Sequence, residues 1–424
     1  MKYLLIVALL LPGVNSMAVS SDRLDSLLQN RDFFKLRDEL QHRQYKKLSD
    51  ARKLYYLAFV HNFFHNLELS SEEITQVYNK HIREFSDKEM SSLLSKQIDN
   101  HIKLYQYRLA HEVSQLMLTR YTDVLSAEEK EEIMNADAIW KGLQNVPPQQ
   151  AIIDNTTRIA GKRDMARLLN IPVQFGDSTF LFVFDTGANI SVISETYAAK
   201  SNLQLLHTRF KVRAITGLQV TADLAVAKSL KLGTITLNNV VFMVFPDSAL
   251  SFLNGVYKID GIIGFPVIEQ LQEVRIGKND TITIPRDATK NSIGNFGIDG
   301  LVPVLNTVVN GDTLAFTFDT GAQTTALNQP YYRKYQSTVT QNGTAFELRE
   351  GGAGGTHHTT AYRLPSVTFN INGLQTTVKN IAVKTVHAGS TDKFYYGNLG
   401  QDVMTQFREM IINFRYMYVL FEKK

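Results

Sequence analysis

The chain has 424 residues, of which 44% are hydrophobic and 20% charged, with a formal net charge of +4. That profile is ordinary for globular protein and leaves room for two or three domains. The charge is small and spread out, which argues against nucleic acid as a partner. Cysteine is absent, which excludes disulfides, metal thiolates, a thiol nucleophile and a lipid anchor built on cysteine.

The first elements in chain order are a basic residue, Lys2, and an unbroken apolar run from Leu4 to Leu11. The run is too short to span a bilayer. Pro12-Gly13 break it, and Val14-Asn15-Ser16 supply small residues before a cut. Residues 1–16 therefore read as a signal peptide, and the mature protein as exported, periplasmic or secreted, with no membrane span.

Residues 17–147 read as an all-α domain, a helical hairpin array or solenoid-like bundle. Leu24, Leu27 and Leu28 follow helical spacing, as do Tyr56, Val60, Phe63 and Leu67. Three Ser-x-x-Glu patterns, Ser70 to Glu73, Ser86 to Glu89 and Ser126 to Glu129, predict capping boxes at helix starts. No clean repeat period is visible, so a tetratricopeptide-type label rests on the helical hairpins alone. The many aromatics, among them Phe33, Phe34, Tyr55, Phe59, Phe63 and Tyr105, read as helix–helix core. The competing reading is a groove for a peptide or protein partner. His61, His65, His101 and His111 are too scattered for a metal site and read as packing or surface histidines. Pro147-Pro148 end the helical part. Residues 148–165 read as a linker with an added strand.

Beyond residue 166 the pattern changes to short β-like runs. The string Phe-Asp-Thr-Gly-Ala occurs at Phe184–Ala188 and again at Phe318–Ala322. Each copy follows a β-rich run and a turn dipeptide, Gly176-Asp177 or Asn310-Gly311, and each precedes a second apolar run. Downstream, Asp260-Gly-Ile-Ile-Gly264 and Gly397-Asn-Leu-Gly400 lie at nearly the same distance from Asp185 and Asp319. Each is followed by a stretch fit for a short helix and then another β-like run. Matched spacing on both sides points to an internal duplication. It divides the remainder into 166–290, a joint over 291–300, and 301–424.

The duplicated Asp-Thr-Gly-Ala with its downstream Gly-apolar-apolar-Gly resembles the retropepsin-like aspartic proteases. The resemblance covers about residues 166–424. The chain is similar to bacterial exported aspartyl proteases that carry two such lobes in tandem. It implies two all-β acid-protease lobes, a polypeptide substrate, and no cofactor or metal. Asp185 and Asp319 become the candidate general acid and general base, in unassigned order. Two close carboxylates cannot both ionise at moderate pH, so the pair holds one proton between them.

By the same resemblance Thr186 and Thr320 would cross-link the two active-site loops, and Gly187 and Gly321 would admit close backbone approach. Ala188 and Ala322 stand where pepsin-like enzymes carry Ser or Thr. A missing hydroxyl there leaves the pair harder to ionise, which implies a mildly acidic to near-neutral optimum. Candidate flaps that close on substrate are Ile215, Thr216 and Gly217 after the first aspartate, and Gly352, Ala353 and Gly354 after the second. Asn398 departs from the pattern, being polar where the family packs an apolar residue behind the catalytic loop. Two other readings stand beside the enzyme: a catalytically idle fold that binds peptides, and a helical scaffold for envelope partners. The helical region itself reads as a permanent domain or as a prosegment.

Overall fold

The computed structural model describes residues 21–213, 219–352, 355–387 and 392–423. The expected signal peptide, and Ile215, Thr216, Gly217, Ala353 and Gly354 of the candidate flaps, lie outside the described residues.

Among the described residues seven α-helices form the N-terminal region: α1 (Asp22–Gln29), α2 (Phe33–Leu40), α3 (Asp50–Phe63), α4 (Leu67–Gln76), α5 (Asp87–Lys103), α6 (Tyr107–Arg120) and α7 (Ala127–Leu143). Ser86 and Ser126 make the expected capping boxes with Glu89 and Glu129. The third expected box is overturned. Ser70 is buried inside α4 and its hydroxyl donates to the Ala58 carbonyl at 2.8 Å. Buried Asn100 in turn donates to Ser70, so a polar network takes the serine that spacing alone assigned to a cap. Ser49 caps α3 instead, accepting from the Arg52 N–H.

A repeat that the sequence hides appears in the turns. α1–α2, α3–α4 and α5–α6 are joined by three-residue links whose middle residue is left-handed, Arg31 (φ 52°), His65 (φ 63°) and Tyr105 (φ 56°). The main-chain bonds match: Asp32, Asn66 and Gln106 each donate five residues back, to Leu27, His61 and His101. Glycine would take this conformation at less cost. The side chains explain why large residues stand there, because all three reach the β region. Arg31 Nη1 meets Asp299 Oδ2 at 2.7 Å, His65 Nε2 meets Glu269 Oε1 at 2.8 Å, and the Tyr105 hydroxyl donates to the Pro266 carbonyl at 2.8 Å.

The β region follows. Its main strands are β1 (Thr157–Ala160), β2 (Leu169–Phe175), β3 (Ser178–Phe184), β4 (Ser191–Ser194), β5 (Phe210–Arg213), β6 (Gln219–Leu232), β7 (Ile235–Phe245), β8 (Gly261–Ile263), β9 (Glu273–Gly277) and β10 (Thr281–Ile284). Then come β11 (Phe296–Asp299), β12 (Val302–Val309), β13 (Asp312–Phe318), β14 (Ala326–Leu327), β15 (Thr344–Gly352), β16 (Gly355–Ile371), β17 (Leu374–Lys384), β18 (Gly397–Leu399), β19 (Glu409–Asn413) and β20 (Tyr418–Glu422).

The first sheet runs β7-β4-β8-β3-β2, and the long β6 pairs with both β7 and β2. The second runs β17-β14-β18-β13-β12, and the long β16 pairs with both β17 and β12. Each sheet thus curls until one strand bridges its two ends, which leaves few open edges. Parallel pairs sit at matching places, β8 on β3 and β18 on β13. A further sheet, β1-β10-β9-β19-β20, binds the two halves through the antiparallel pair β9–β19. At that junction buried Glu273 accepts from Asn413 Nδ2 at 2.7 Å and pairs with Arg275 at 2.6 Å.

The segment read as a joint is partly strand, since β11 pairs with β12. It also fills the inner face of the helical array. The Phe63 ring packs so closely on Gly297 that a Cβ there would lie 1.9 Å from it. Arg37 donates to the Gly294 carbonyl and Lys103 to that of Ile298. Asp299 is 3% exposed and receives Arg31, Lys96 and the Tyr395 hydroxyl. Burial alone would raise its carboxyl, but the Lys96 and Arg31 charges and the Arg31 and Tyr395 hydrogen bonds hold it far below the ordinary range. Among the described residues no helix is long and apolar enough to cross a membrane.

Candidate active site

Both Asp-Thr-Gly turns lie where a strand of one parallel pair ends. The Asp185 N–H donates to the Ile263 carbonyl at the end of β8, and the Asp319 N–H to the Leu399 carbonyl at the end of β18, each at 3.0 Å. The β3 and β13 runs each end in three consecutive buried residues, with Phe182, Phe184, Phe316 and Phe318 all 1% exposed or less. The turn therefore starts from a rigid, buried root.

The chain brings the two turns together. The Thr186 hydroxyl donates to the Phe318 carbonyl at 3.3 Å and accepts from the Thr320 N–H at 3.0 Å. In mirror fashion the Thr320 hydroxyl donates to the Phe184 carbonyl and accepts from the Thr186 N–H, both at 3.0 Å. Both threonines are buried, so all four bonds are shielded from water.

The glycines face the opposite carboxylates. A Cβ on Gly187 would stand 2.6 Å from the Asp319 carboxyl, and one on Gly321 would stand 2.4 Å from that of Asp185. Only glycine fits both positions without displacing a carboxylate. Each glycine N–H also donates to its own aspartate, Gly187 to Asp185 Oδ1 at 2.8 Å and Gly321 to Asp319 Oδ1 at 2.7 Å. Burial, then the Asp319 charge and a hydrogen bond between the two carboxyls, push the Asp185 carboxyl well above the ordinary range. The N–H groups of Gly187 and Gly321 oppose that shift without cancelling it. Such a pair can hold one proton and present one base and one acid to a bound water.

The two alanines differ in what their N–H groups do. Ala322 donates to Asp319 Oδ1 at 3.1 Å, while Ala188 donates to the main-chain oxygen of Asp185 at 3.4 Å. Of the candidate flaps, Gly352 ends β15 and pairs with Gly355 at the start of β16. The first candidate flap falls between β5 and β6, whose last described pair is Arg213 with Gln219. The strands that flank the two candidate flaps are thus antiparallel pairs at corresponding places in the two sheets.

Several supporting residues escaped the sequence reading. Ser191 and Thr325, each six residues past its aspartate, accept from the N–H of Gly264 and Gly400 at 3.0 Å. Phe265 and Gln401 N–H groups reach back to the Ala188 and Ala322 carbonyls. A hydroxyl residue at the same offset in both copies was the signal that could have found the first pair. Gln401 and Thr317 carried no such signal: Gln401 Nε2 donates to the Thr320 carbonyl at 2.8 Å, and Thr317 bonds to Asn398. The four histidines bond to neighbours, His61 to Glu73, His65 to Glu269, His101 to Gln106 and His111 to Asp137. Among the described residues no cluster of three or more potential metal ligands occurs.

A family model described as aspartyl protease matches residues 171–267, which hold the first Asp-Thr-Gly turn and Gly261–Gly264. The match supports an aspartic protease family for the chain and, with it, a hydrolase acting on polypeptide. No curated protein matches the sequence.

Proposed function

We propose that the chain is an exported aspartic-type endopeptidase with two retropepsin-like lobes in tandem, Asp185 and Asp319 forming one dyad. The observation that carries this reading is the reciprocal contact of the two turns: crossed threonine bonds, and each carboxylate lying against the other half's glycine. Nothing in an ordinary β-turn requires that arrangement.

In this mechanism the ionised carboxylate takes a proton from a water whose oxygen adds to the scissile carbonyl carbon. The protonated carboxyl gives its proton to the carbonyl oxygen, and a neutral gem-diol forms. On collapse, a gem-diol hydroxyl returns its proton to the acid, the base passes its proton to the amide nitrogen, and the C–N bond breaks. A carboxylic acid and an amine leave, and the dyad is restored with no covalent intermediate. The helical region is a fixed part of the enzyme in this reading, because its inner face is filled by residues 294–299 of the same chain.

The test is cleavage of a peptide library from pH 3 to 8 by the full protein beside Asp185→Ala and Asp319→Ala. Turnover in the wild type and loss in both variants by a factor of about 10³ or more is the expected result. Loss in one variant alone would point to pairing between chains. Retained peptide affinity with no turnover in any form would move the chain to a binding role.

A further inference from the structure

The dyad aspartates sit in matched frames with unlike neighbours. Two residues before Asp185 stands Val183, in parallel register with Ile262. Two residues before Asp319 stands Thr317, in the same register with Asn398. The apolar pair of the first half is thus a polar pair in the second. The Thr317 hydroxyl lies 2.7 Å from Asn398 Oδ1, closer than the 3.2 Å to the Gly397 carbonyl. With its oxygen held by Thr317, the amide turns Nδ2 toward Asp319, 3.4 Å from Oδ2.

The two carboxylates therefore collect different donors. Asp319 receives Gly321 N–H, Ala322 N–H and Asn398 Nδ2. Asp185 receives Gly187 N–H and a share of Gly321 N–H. Val183 and Ile262 have nothing to donate. Hydrogen bonds to the charged form favour that form, and a proton shared by two carboxyls needs only a small difference to choose a side. A long hydrogen bond is enough for that purpose. Other charged groups near the turns are engaged elsewhere. Asp402 takes the Thr325 hydroxyl and N–H, and Arg163 pairs with Asp280 and Gln401.

We infer that Asp319 is the ionised, water-activating member of the dyad, that Asp185 carries the proton and donates it to the carbonyl oxygen, and that Asn398, set by Thr317, is the positioning residue that fixes this order. The inference rests on the endopeptidase reading for its chemistry, but the place of the proton is a property of the resting protein. The upward push on Asp185 from burial and from the Asp319 charge agrees with it.

The experiment follows the carboxyl carbons of ¹³C-labelled aspartate in the full-length resting protein through a pH titration. Asp185→Asn and Asp319→Asn assign the two signals. Asp319 should respond mainly in the lower transition and Asp185 in the upper. Asn398→Leu should raise the lower transition by about half a pH unit or more and move the acidic limb of kcat/KM up with it, leaving KM little changed. Thr317→Val, which keeps the amide but frees it, should shift both readouts the same way by less, and it serves if Asn398→Leu does not fold. Ile262→Asn should draw the two transitions together. The reverse order of transitions, or a lower transition unmoved in folded Asn398→Leu and Thr317→Val, overturns the inference. Ordered transitions in a protein without turnover would leave the proton placement standing and remove the endopeptidase reading instead.

Discussion

The two halves of the β region follow one route through their strands, yet they differ in what surrounds the dyad. Main-chain contacts are reproduced with little change: aspartate N–H to the end of the parallel strand, hydroxyl to the second glycine, alanine carbonyl to the next helix. Side chains one layer behind are free to diverge, Val183 and Ile262 on one side, Thr317 and Asn398 on the other. The comparison teaches that positioning two carboxylates depends on backbone geometry, which both copies keep. In the proposed mechanism, dividing one proton between them depends on the side-chain donor that Asn398 supplies in one half and Ile262 does not supply in the other.

The strongest way to break that comparison is to fill the space between the halves. Gly321→Ala and Gly187→Ala should each lower turnover by a factor of about 10² or more, since either methyl displaces the opposite carboxylate. Peptide kinetics beside circular dichroism would read this, and near-normal turnover in either variant would deny the close approach. The next effect is on stability. Asp299→Ala leaves Arg31 and Lys96 facing a buried void and should cost about 3–5 kcal/mol in urea unfolding. Thr186→Val and Thr320→Val each remove two crossed bonds and strand an N–H and a carbonyl, so each should cost about 1–3 kcal/mol. Unequal costs would show that the two halves share the load less evenly than their geometry implies. Smallest is Ser126→Ala, about 1 kcal/mol from a lost cap on α7.

Acidity separates two buried carboxyls. The folded value of Asp299 is depressed, so its stabilisation is present above the unfolded value near 4 and lost as pH falls below it. The folded value of Asp185 is raised, so its contribution is full below that unfolded value and lost as pH rises through the folded one. The stability gap between wild type and Asp299→Asn should therefore shrink toward pH 3. Asp185→Asn should gain on the wild type as pH rises toward 7. Denaturation midpoints across that range would check both signs.

Much of the site was legible because the Phe-Asp-Thr-Gly-Ala string occurs twice in matched surroundings. Two Asp-Thr-Gly strings in equal frames marked the turns, and the turn dipeptides marked their hairpins. The structure adds what pairs across long separations. Nothing local tells that Thr317 will face Asn398, or that Gly297 will lie under Phe63. In the helical region the apolar spacing gave the helices, and two of three capping boxes formed as expected. Ser70 misled because a serine before a glutamate reads alike in a cap and in a buried polar network. The repeat stayed hidden because its marker is backbone conformation, at an arginine, a histidine and a tyrosine, where a pattern reader looks for glycine.

The clamp on β11 also bears on the order in which the molecule can be made. Arg31 and Asp299 are 268 positions apart, so the helical array leaves the ribosome long before the strand that fills it. Until residues 294–299 arrive, Phe63, Lys96 and Lys103 have no partner from that segment. Nascent chains of this protein thus pass through a stage with an open, partly apolar and cationic face, a stage at which chaperones would bind and misassembly would start. Closing so distant a contact is slow, and refolding from denaturant should be limited by docking of that strand, after the helices have formed.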